Sequence, residues 1–464
     1  MSFGEFCHSA GHNVHISLAL IFHASVIINP SCQIALISLS LVIFCYQKIH
    51  STILQDRFNC LGKLKSIIEP FGAMLKLFHP EHGNALRTFY SSDSENHSQL
   101  LEGLATMLEA NILQDSASYD LKKKTISDAR KQLFESGVSR MTFPASIHGL
   151  ELPFGVYSLA MELIGSADAP TAMSVGIHNT VADGIYQFGS DAQRKTIFMD
   201  LMEGKKLASF ALTEPTSGSD ARRMQTKAEK KGSSYLINGS KMFITNAGEA
   251  DLYFVFTSTE KGHAAFIVEK TNNGLHVGDD IPKLGMRGSR TAEVRFTDCE
   301  VSEDNLIGQD GPAFEYAKSM LSGSRIIMGS ICVGIARIAL EKALKYSAQR
   351  KIFDRSLSDF QLTKEKIANM RTDINSARLL CLYAARLKEL GLDYASEAAQ
   401  GKVLATESAA RVCDQVIQIL GGYGYTNEDI HRHWRDARLL TIGEGTSEVL
   451  RLLIASKELE AQKM

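Results

Sequence analysis

None of the eight cysteines, Cys7, Cys32, Cys45, Cys60, Cys299, Cys332, Cys381 and Cys413, belongs to a Cys-x-x-Cys pair, and their spacing follows no regular framework. A disulfide scaffold is excluded by that pattern, which is one of free thiols in a reducing compartment. Cys7, His8, His12 and His15 crowd the start of the chain, but no second ligand group stands at structural-zinc spacing. They form a polar flank, and no metal is expected. Excess charge is missing too: 50 Lys and Arg face 52 Asp and Glu, a formal charge of -2. No long-range positive field exists to hold nucleic acid. Internal repeats and low-complexity tracts are absent, which removes solenoids and tail-like chains. With 44% hydrophobic and 22% charged residues over 464 positions, the chain can bury a sizeable core in two or three domains.

Charge is missing in one further place. Residues 16–46 carry none, and two apolar runs, ISLALIFHASVII and IALISLSLVIFCY, flank a break at Asn29 and Pro30. Each run is shorter than the roughly 20 residues a spanning helix needs, while the whole stretch is long enough if kinked. Neither the basic start of a secretory signal nor the Arg-rich amphipathic pattern of a mitochondrial presequence is present. Three readings stand: a membrane anchor, a helical hairpin buried against the rest, or an upstream start codon. Lys48, Arg57, Lys63 and Lys65 follow the stretch, so an anchor would leave the body at the inner face of a membrane, in the cytoplasm. The remainder implies a cytoplasmic protein.

Beyond it, the polar segment YSSDSENHSQ reads as a linker ahead of a first helix at residues 100–113. The expected domains are an extension over residues 1–97, helices over 98–206, strands over 207–308 and helices over 309–464. The catalytic body is expected to fold without the first 90 or so residues. YLINGSKMFIT predicts a hairpin turning at Asn238 and Gly239, because two alternating runs flank an Asn-Gly pair. Helical periodicity returns near Gly311 and runs to the end.

Three segments carry candidate chemistry. TEPTSGSD, at 213–220, places backbone amides and hydroxyls where helices give way to strands; it is suited to a phosphate or polar ring, or equally to a surface turn. QILGGYGYT sets Gly421, Gly422 and Gly424 after a long helix, for close approach of a ligand or as a cap. IGEGTSEVLR presents Glu444 between two glycines. Partial burial would raise its pKa into the range of a general base, whereas the bland alternative is a helix start capped by Thr446 or Ser447.

With KMFITNAG, KLGMRGSRTAEVRFTDCEVSEDNLIG and RKIFDRSLSDFQ between them, these segments follow one another as the signature set of the acyl-CoA dehydrogenases does, and from about residue 100 to its end the chain resembles that family. The resemblance implies an α+β, mostly α fold: an N-terminal helical domain, a middle β domain and a C-terminal four-helix bundle. It implies FAD, with Phe210, Thr213, Gly218, Ser219, Phe243, Ile244 and Thr245 near the isoalloxazine and Thr446 and Glu448 as further contacts. Arg350, Phe353, Gln361, Gln418 and Gly422 would complete the cofactor tail of a neighbouring subunit, so a homodimer or homotetramer is expected. Ser219, Arg325 and Gly445 match positions that touch an acyl-CoA thioester.

Glu444 matches the family's α-proton acceptor, with the β-hydrogen leaving as hydride to the flavin and electrons passing to an electron-transfer flavoprotein. The alternative base position, just before Arg325, is Ser324 here. Two departures stand out: Phe243 where tryptophan is frequent, and Asp354 where glycine is usual. Gly443 replaces a frequent aromatic, leaving room suited to branched or bulky acyl groups. An acyl-CoA oxidase and a non-catalytic flavin-binding scaffold are the competing readings. The intact base, flavin and CoA positions favour dehydrogenation.

Overall fold

Helices α1 (Pro80–Phe89) and α2 (Ser94–Asn111) open the described part of the computed structural model, which covers residues 77–90 and 93–462. The uncharged stretch 16–46 and the early Cys/His group therefore lie outside the described residues. Among the described residues no helix is long and apolar enough to cross a membrane.

The expected linker is mostly helix. Ser94 to Gln99 form the first turns of α2, so the boundary placed at residue 97 cuts through an element. His97 and Leu100 are buried on one face of it; the Ser-rich composition marks the exposed face of a helix. The stretch from Leu77 to Tyr90, assigned by sequence to a dispensable extension, is packed. Leu77, His82 and Leu86 are inaccessible to solvent.

Helices α3 (Ser127–Glu135), α4 (Phe154–Ala167) and α5 (Ala169–Phe188) complete the first helical layer. Strands β1 (Ala208–Ala211), β2 (Lys227–Lys231), β3 (Ser234–Thr245), β4 (Leu252–Thr259), β5 (Gly262–Glu269), β6 (Leu275–Val277) and β7 (Thr291–Ser302) form one sheet in the order β1-β4-β2-β3-β7-β6, with β5 on β4. Helix α5 and the start of α6 (Ala313–Gln349) cover it: Val181, Ile185, Ala317 and Met320 share a core with Phe254, Phe256 and Ile267. Helices α7 (Gln361–Glu389) and α8 (Ala395–Leu420) pack with α6, and α9 (Glu428–Leu440) and α10 (Ser447–Ala461) lie along α8. The expected α+β, mostly α architecture is what the chain adopts.

The Asn-Gly pair does not turn a hairpin. Strand β3 runs through it, and the β2–β3 turn lies earlier, where Lys231 pairs with Ser234 around Gly232. At Gly239 the register against β7 slips between Ile237 and Gly239, and φ is 146°. A Cβ there would stand 2.6 Å from the Thr226 Cα, so glycine is needed for close approach and the pair marks a bulge.

Two sets of buried charges join the layers. In the first, Glu162 on α4 accepts from Arg378 Nε at 2.8 Å and Nη2 at 2.9 Å, and from His82 Nε2 at 2.9 Å, with Arg337 Nε 3.3 Å away. His82 Nδ1 accepts from the His79 amide, so the ring is the Nε2–H tautomer. Burial holds its pKa below the ordinary value, and it serves as a neutral donor. Burial alone would raise the Glu162 carboxyl, but the Arg378 guanidinium and its hydrogen bonds hold it well below the usual range. Glu81 adds bonds to Arg371 at 2.6 Å and Arg378 at 2.9 Å, fastening α1 to α7.

The second set lies on α9. Arg435 forms a two-pronged pair with Asp120 at 3.0 and 2.6 Å and donates to the Leu284 carbonyl. Asp436 accepts from the Met286 amide at 2.5 Å, and burial pushes its carboxyl up to about 7. The β-domain loop at 284–287 is thereby seated on the helix that leads into residue 444.

Glu162→Ala should lower folding stability by about 3–5 kcal/mol, because the carboxylate shared by the buried Arg378, Arg337 and His82 is lost and Arg378 and Arg337 keep only Glu81 and Glu341. Arg451→Ala, which removes an exposed pair with Glu407, should change it little. Urea denaturation of both variants checks the contrast. Since the folded pKa of Glu162 is depressed, its contribution is complete above the ordinary glutamate range and is lost as pH falls through the depressed value.

Candidate active site

Glu444 stands on the turn between α9 and α10 in a left-handed conformation, φ 59°, followed by Gly445 at φ 96°. Thr446 ends the turn as the N-cap of α10: its hydroxyl accepts from the Val449 amide at 3.3 Å. The helix-start reading is realised by Thr446, which leaves the Glu444 side chain free of a capping role. Glu448 lies exposed in the first helical turn, where the α10 N-terminus favours a carboxylate.

The Glu444 side chain points inward. Its Oε2 is enclosed and has no hydrogen-bond partner. Burial raises its pKa, opposed by Arg325, by the nearby Ser324 hydroxyl and by Lys402. Arg325 Nε donates to the Glu444 carbonyl at 3.2 Å, and Lys402 Nζ to the Gly445 carbonyl at 2.7 Å. A solvent-shielded carboxylate with one unbonded oxygen, poised above the usual carboxylate range, is suited to taking a proton.

On the β domain, one buried ion pair arranges the flavin-candidate residues. Lys241 Nζ reaches Glu214 Oε1 at 2.8 Å and the Leu212 carbonyl at 3.1 Å. Glu214 also accepts from the Gln225 and Thr226 amides. Burial lowers Lys241 to about 8 against the pull of Glu214. The Met242 amide donates to the Thr213 carbonyl at 2.8 Å, so the loop after β1 is tied to β3 just before Phe243. Phe210 on β1 and Ile244 and Thr245 on β3 are thus held on joined segments; Ser209 donates to the Thr245 carbonyl at 2.8 Å. Gly218 and Ser219 lie exposed on the loop.

Phe243 is the exception to burial along this strand end. It sits where the β3–β7 register shifts, at φ 61°, with 63% of its surface exposed. A large ring held outward from a strained backbone is a ready cover for a planar ligand. Arg350, Phe353, Gln361, Gln418 and Gly422 all lie exposed, Phe353 by 87%. No side-chain partner of Arg350 is found among the described residues. An unpartnered guanidinium beside exposed aromatic surface fits a cofactor with an anionic diphosphate tail and a flat ring system. These residues thus fit FAD.

Sequence reasoning missed Glu214, Lys241 and Lys402. Each left a signal: Lys241 is a single charge within an apolar strand, and Lys402 a charge on the small-residue face of α8, where Ala398, Ala399 and Ala405 are buried.

Family comparison agrees with this layout. Residues 94–205, 209–299 and 313–459 match the N-terminal, middle and C-terminal domains of acyl-CoA dehydrogenase. The human short-chain specific mitochondrial acyl-CoA dehydrogenase is 37% identical over 393 residues, covering 83% of this chain and 95% of that one. Butyryl-CoA dehydrogenase from Megasphaera elsdenii superposes with a TM-score of 0.77 at 35% identity, covering 78% of this chain and 98% of that one. A chain from a structure of the electron-transferring flavoprotein of Acidaminococcus fermentans also gives 0.77, at 36% identity and with 79% and 98% covered. With all three domains matched in order and the acidic turn between its last two helices in place, the chain belongs to the acyl-CoA dehydrogenase family and is an oxidoreductase acting on CH–CH groups.

Proposed function

We propose that the chain is an FAD-dependent dehydrogenase that converts an acyl-CoA thioester to the trans-2-enoyl-CoA, with Glu444 as the base. The observation that carries this reading is the enclosed, partner-free Oε2 of Glu444, beside two cations. In this reading Glu444 accepts the α-proton at that oxygen. Arg325 and Lys402 keep enough positive potential near the carboxylate for it to be ionised when substrate arrives. Ser219, Arg325 and Gly445 are the thioester contacts. When bound, FAD supplies the two-electron acceptor that takes the β-hydrogen as hydride. Phe210, Thr213, Gly218, Phe243, Ile244, Thr245, Thr446 and Glu448 hold its ring and neighbourhood. Arg350, Phe353, Gln361, Gln418 and Gly422 hold the tail across a homodimer or homotetramer interface, which accounts for their exposure in the single chain.

An electron-transfer flavoprotein is the proposed acceptor, in keeping with the similar chain in the Acidaminococcus electron-transferring flavoprotein structure. Relatives that act on short chains put butyryl-CoA first in a substrate panel. At Gly443 a Cβ would meet nothing nearer than the Leu439 carbonyl at 4.0 Å, so the segment has space beside the base for branched acyl groups as well.

Glu444→Gln should keep bound flavin and acyl-CoA affinity while turnover falls about 10²–10⁴-fold, because the amide cannot accept the proton. Activity within tenfold of wild type in a flavin-bleaching assay with butyryl-CoA would sink the assignment. In the wild type the rate should fall as pH drops through a midpoint above the ordinary glutamate value, since burial raises this carboxyl. The linkage sign is opposite to that of Glu162. Ionising Glu444 costs stability as pH rises, so the Gln variant should be the more stable at neutral pH, with the gap closing in acid. Thermal melts at pH 4 and pH 7 measure this.

Arg350→Ala should weaken FAD retention about 10–100-fold while the fold persists, through loss of a charge-assisted contact. The ratio of flavin to protein absorbance after gel filtration reads it out. A fully flavinylated monomer would refute both the tail contact and the proposed homo-oligomer.

A further inference from the structure

Lysine is almost never fully buried unless paired with an acid, because taking an ammonium out of water costs several kcal/mol. Lys402 breaks that pattern. It is inaccessible to solvent on α8, yet no carboxylate lies within ion-pair distance of it among the described residues, and its hydrogen-bond acceptor is the Gly445 carbonyl. The charged and titratable groups that face it are Cys332 and Arg325 from α6, Glu407 from its own helix, Glu444 from the turn and Glu448 from α10. Cys332 is neutral, its thiol pushed up by burial. Arg325 in turn faces Glu444 and Tyr394.

The turn explains why a cation is kept there. Glu444 is a non-glycine residue at positive φ, a strained conformation that persists only where the surroundings enforce it. The next residue is left-handed as well, and the two consecutive carbonyls of this strained pair each receive a donor from a different helix: Arg325 of α6 on Glu444, Lys402 of α8 on Gly445. A Cβ at 445 would come within 3.2 Å of Leu450 and 3.8 Å of the Arg325 guanidinium, so the turn has little slack on that side. Two helices of the bundle thereby grip two successive peptide planes.

We propose that Lys402 is a positioning residue of the dehydrogenation reaction: its buried ammonium locks the Gly445 peptide, and with it the left-handed Glu444 turn, and supplies charge that keeps the Glu444 carboxylate ionised. This rests on Glu444 being the base. Lys402 touches neither substrate nor cofactor in this assignment; it acts through residue 444. Burial lowers Lys402 itself to about 8, so near neutral pH it is still largely cationic.

The test uses the holoenzyme and the neutral, similarly shaped Lys402→Met. Loss of a cation facing Glu444 should raise the carboxyl's titration midpoint by about one pH unit. The acid limb of the pH–rate profile for flavin reduction by butyryl-CoA should move up with it. The same midpoint can be read without turnover, as the infrared carboxyl band that disappears in Glu444→Gln. Because a mispointed base costs chemistry and not CoA contacts, kcat should fall about 10–100-fold with KM little changed. Melting temperature should hold or rise, since an unpaired buried charge has been removed. A purely structural lysine predicts the reverse: lower melting temperature with limb and band unmoved, which would overturn the role. Should the Met variant fold poorly, Lys402→Gln, which retains a donor without the charge, must still raise the midpoint. Retained turnover in Glu444→Gln overturns the base assignment and this role together. A dead Glu444→Gln beside an unmoved Lys402→Met overturns the role of Lys402 alone.

Discussion

A carboxylate placed in the interior, that of Glu162, compels four helices to meet. An isolated buried charge is tolerated only when neighbours neutralise it and satisfy its lone pairs. Here the neighbours come from α1, α6 and α7, through His82, Arg337 and Arg378. The arrangement fixes where α6 runs, and α6 in turn carries Arg325 to the base. Close packing reinforces it: a Cβ on Gly334 of α6 would lie 2.2 Å from the Glu162 carbonyl. The charge and the contact specify the same crossing of α4 and α6.

The Glu444 carboxyl is governed by opposed influences of the same kind. Enclosure raises the carboxyl of Glu444, while Arg325 and Lys402 act to lower it. For the role proposed for Glu444, neither influence alone suffices: a base must be ionised when substrate arrives and still strong enough to take a weakly acidic proton. The cations also hold the backbone, so electrostatic tuning and geometry depend on the same two side chains. On the β domain, Lys241 and Glu214 form a second buried charged pair, with almost no exposure to water, that ties β3 to the loop after β1.

The order of helices, strands and helices was legible because long periodic segments announce themselves, whereas the glycines around Glu444 left a base and a helix start equally open and only the family resemblance singled that residue out. Residues 90–99 were misread because composition dominates a short window: serine and asparagine serve a helix's wet face as well as a loop. Asn238 and Gly239 were misread because the pair's need for glycine arises from Thr226, 13 residues before Gly239 in sequence and adjacent in space. Local patterns carry no record of such approaches. The same holds for Lys402, whose partner carbonyl lies 43 residues away. What sequence conceals in this chain is long-range contact, and buried cations are where that concealment matters most.

Helix α1 has a consequence for how the chain comes into being. Its Glu81 bonds to Arg378 at a sequence separation of 297, and His82 to Glu162 at one of 80. At roughly 5–20 residues per second of synthesis, Glu81 waits about 15–60 s on the ribosome before its guanidinium partner is made. Throughout that interval Glu81 lacks the Arg371 and Arg378 guanidinium groups that hold it in the folded chain. Among the described residues, the first helix is therefore one of the last to gain its native ion pairs.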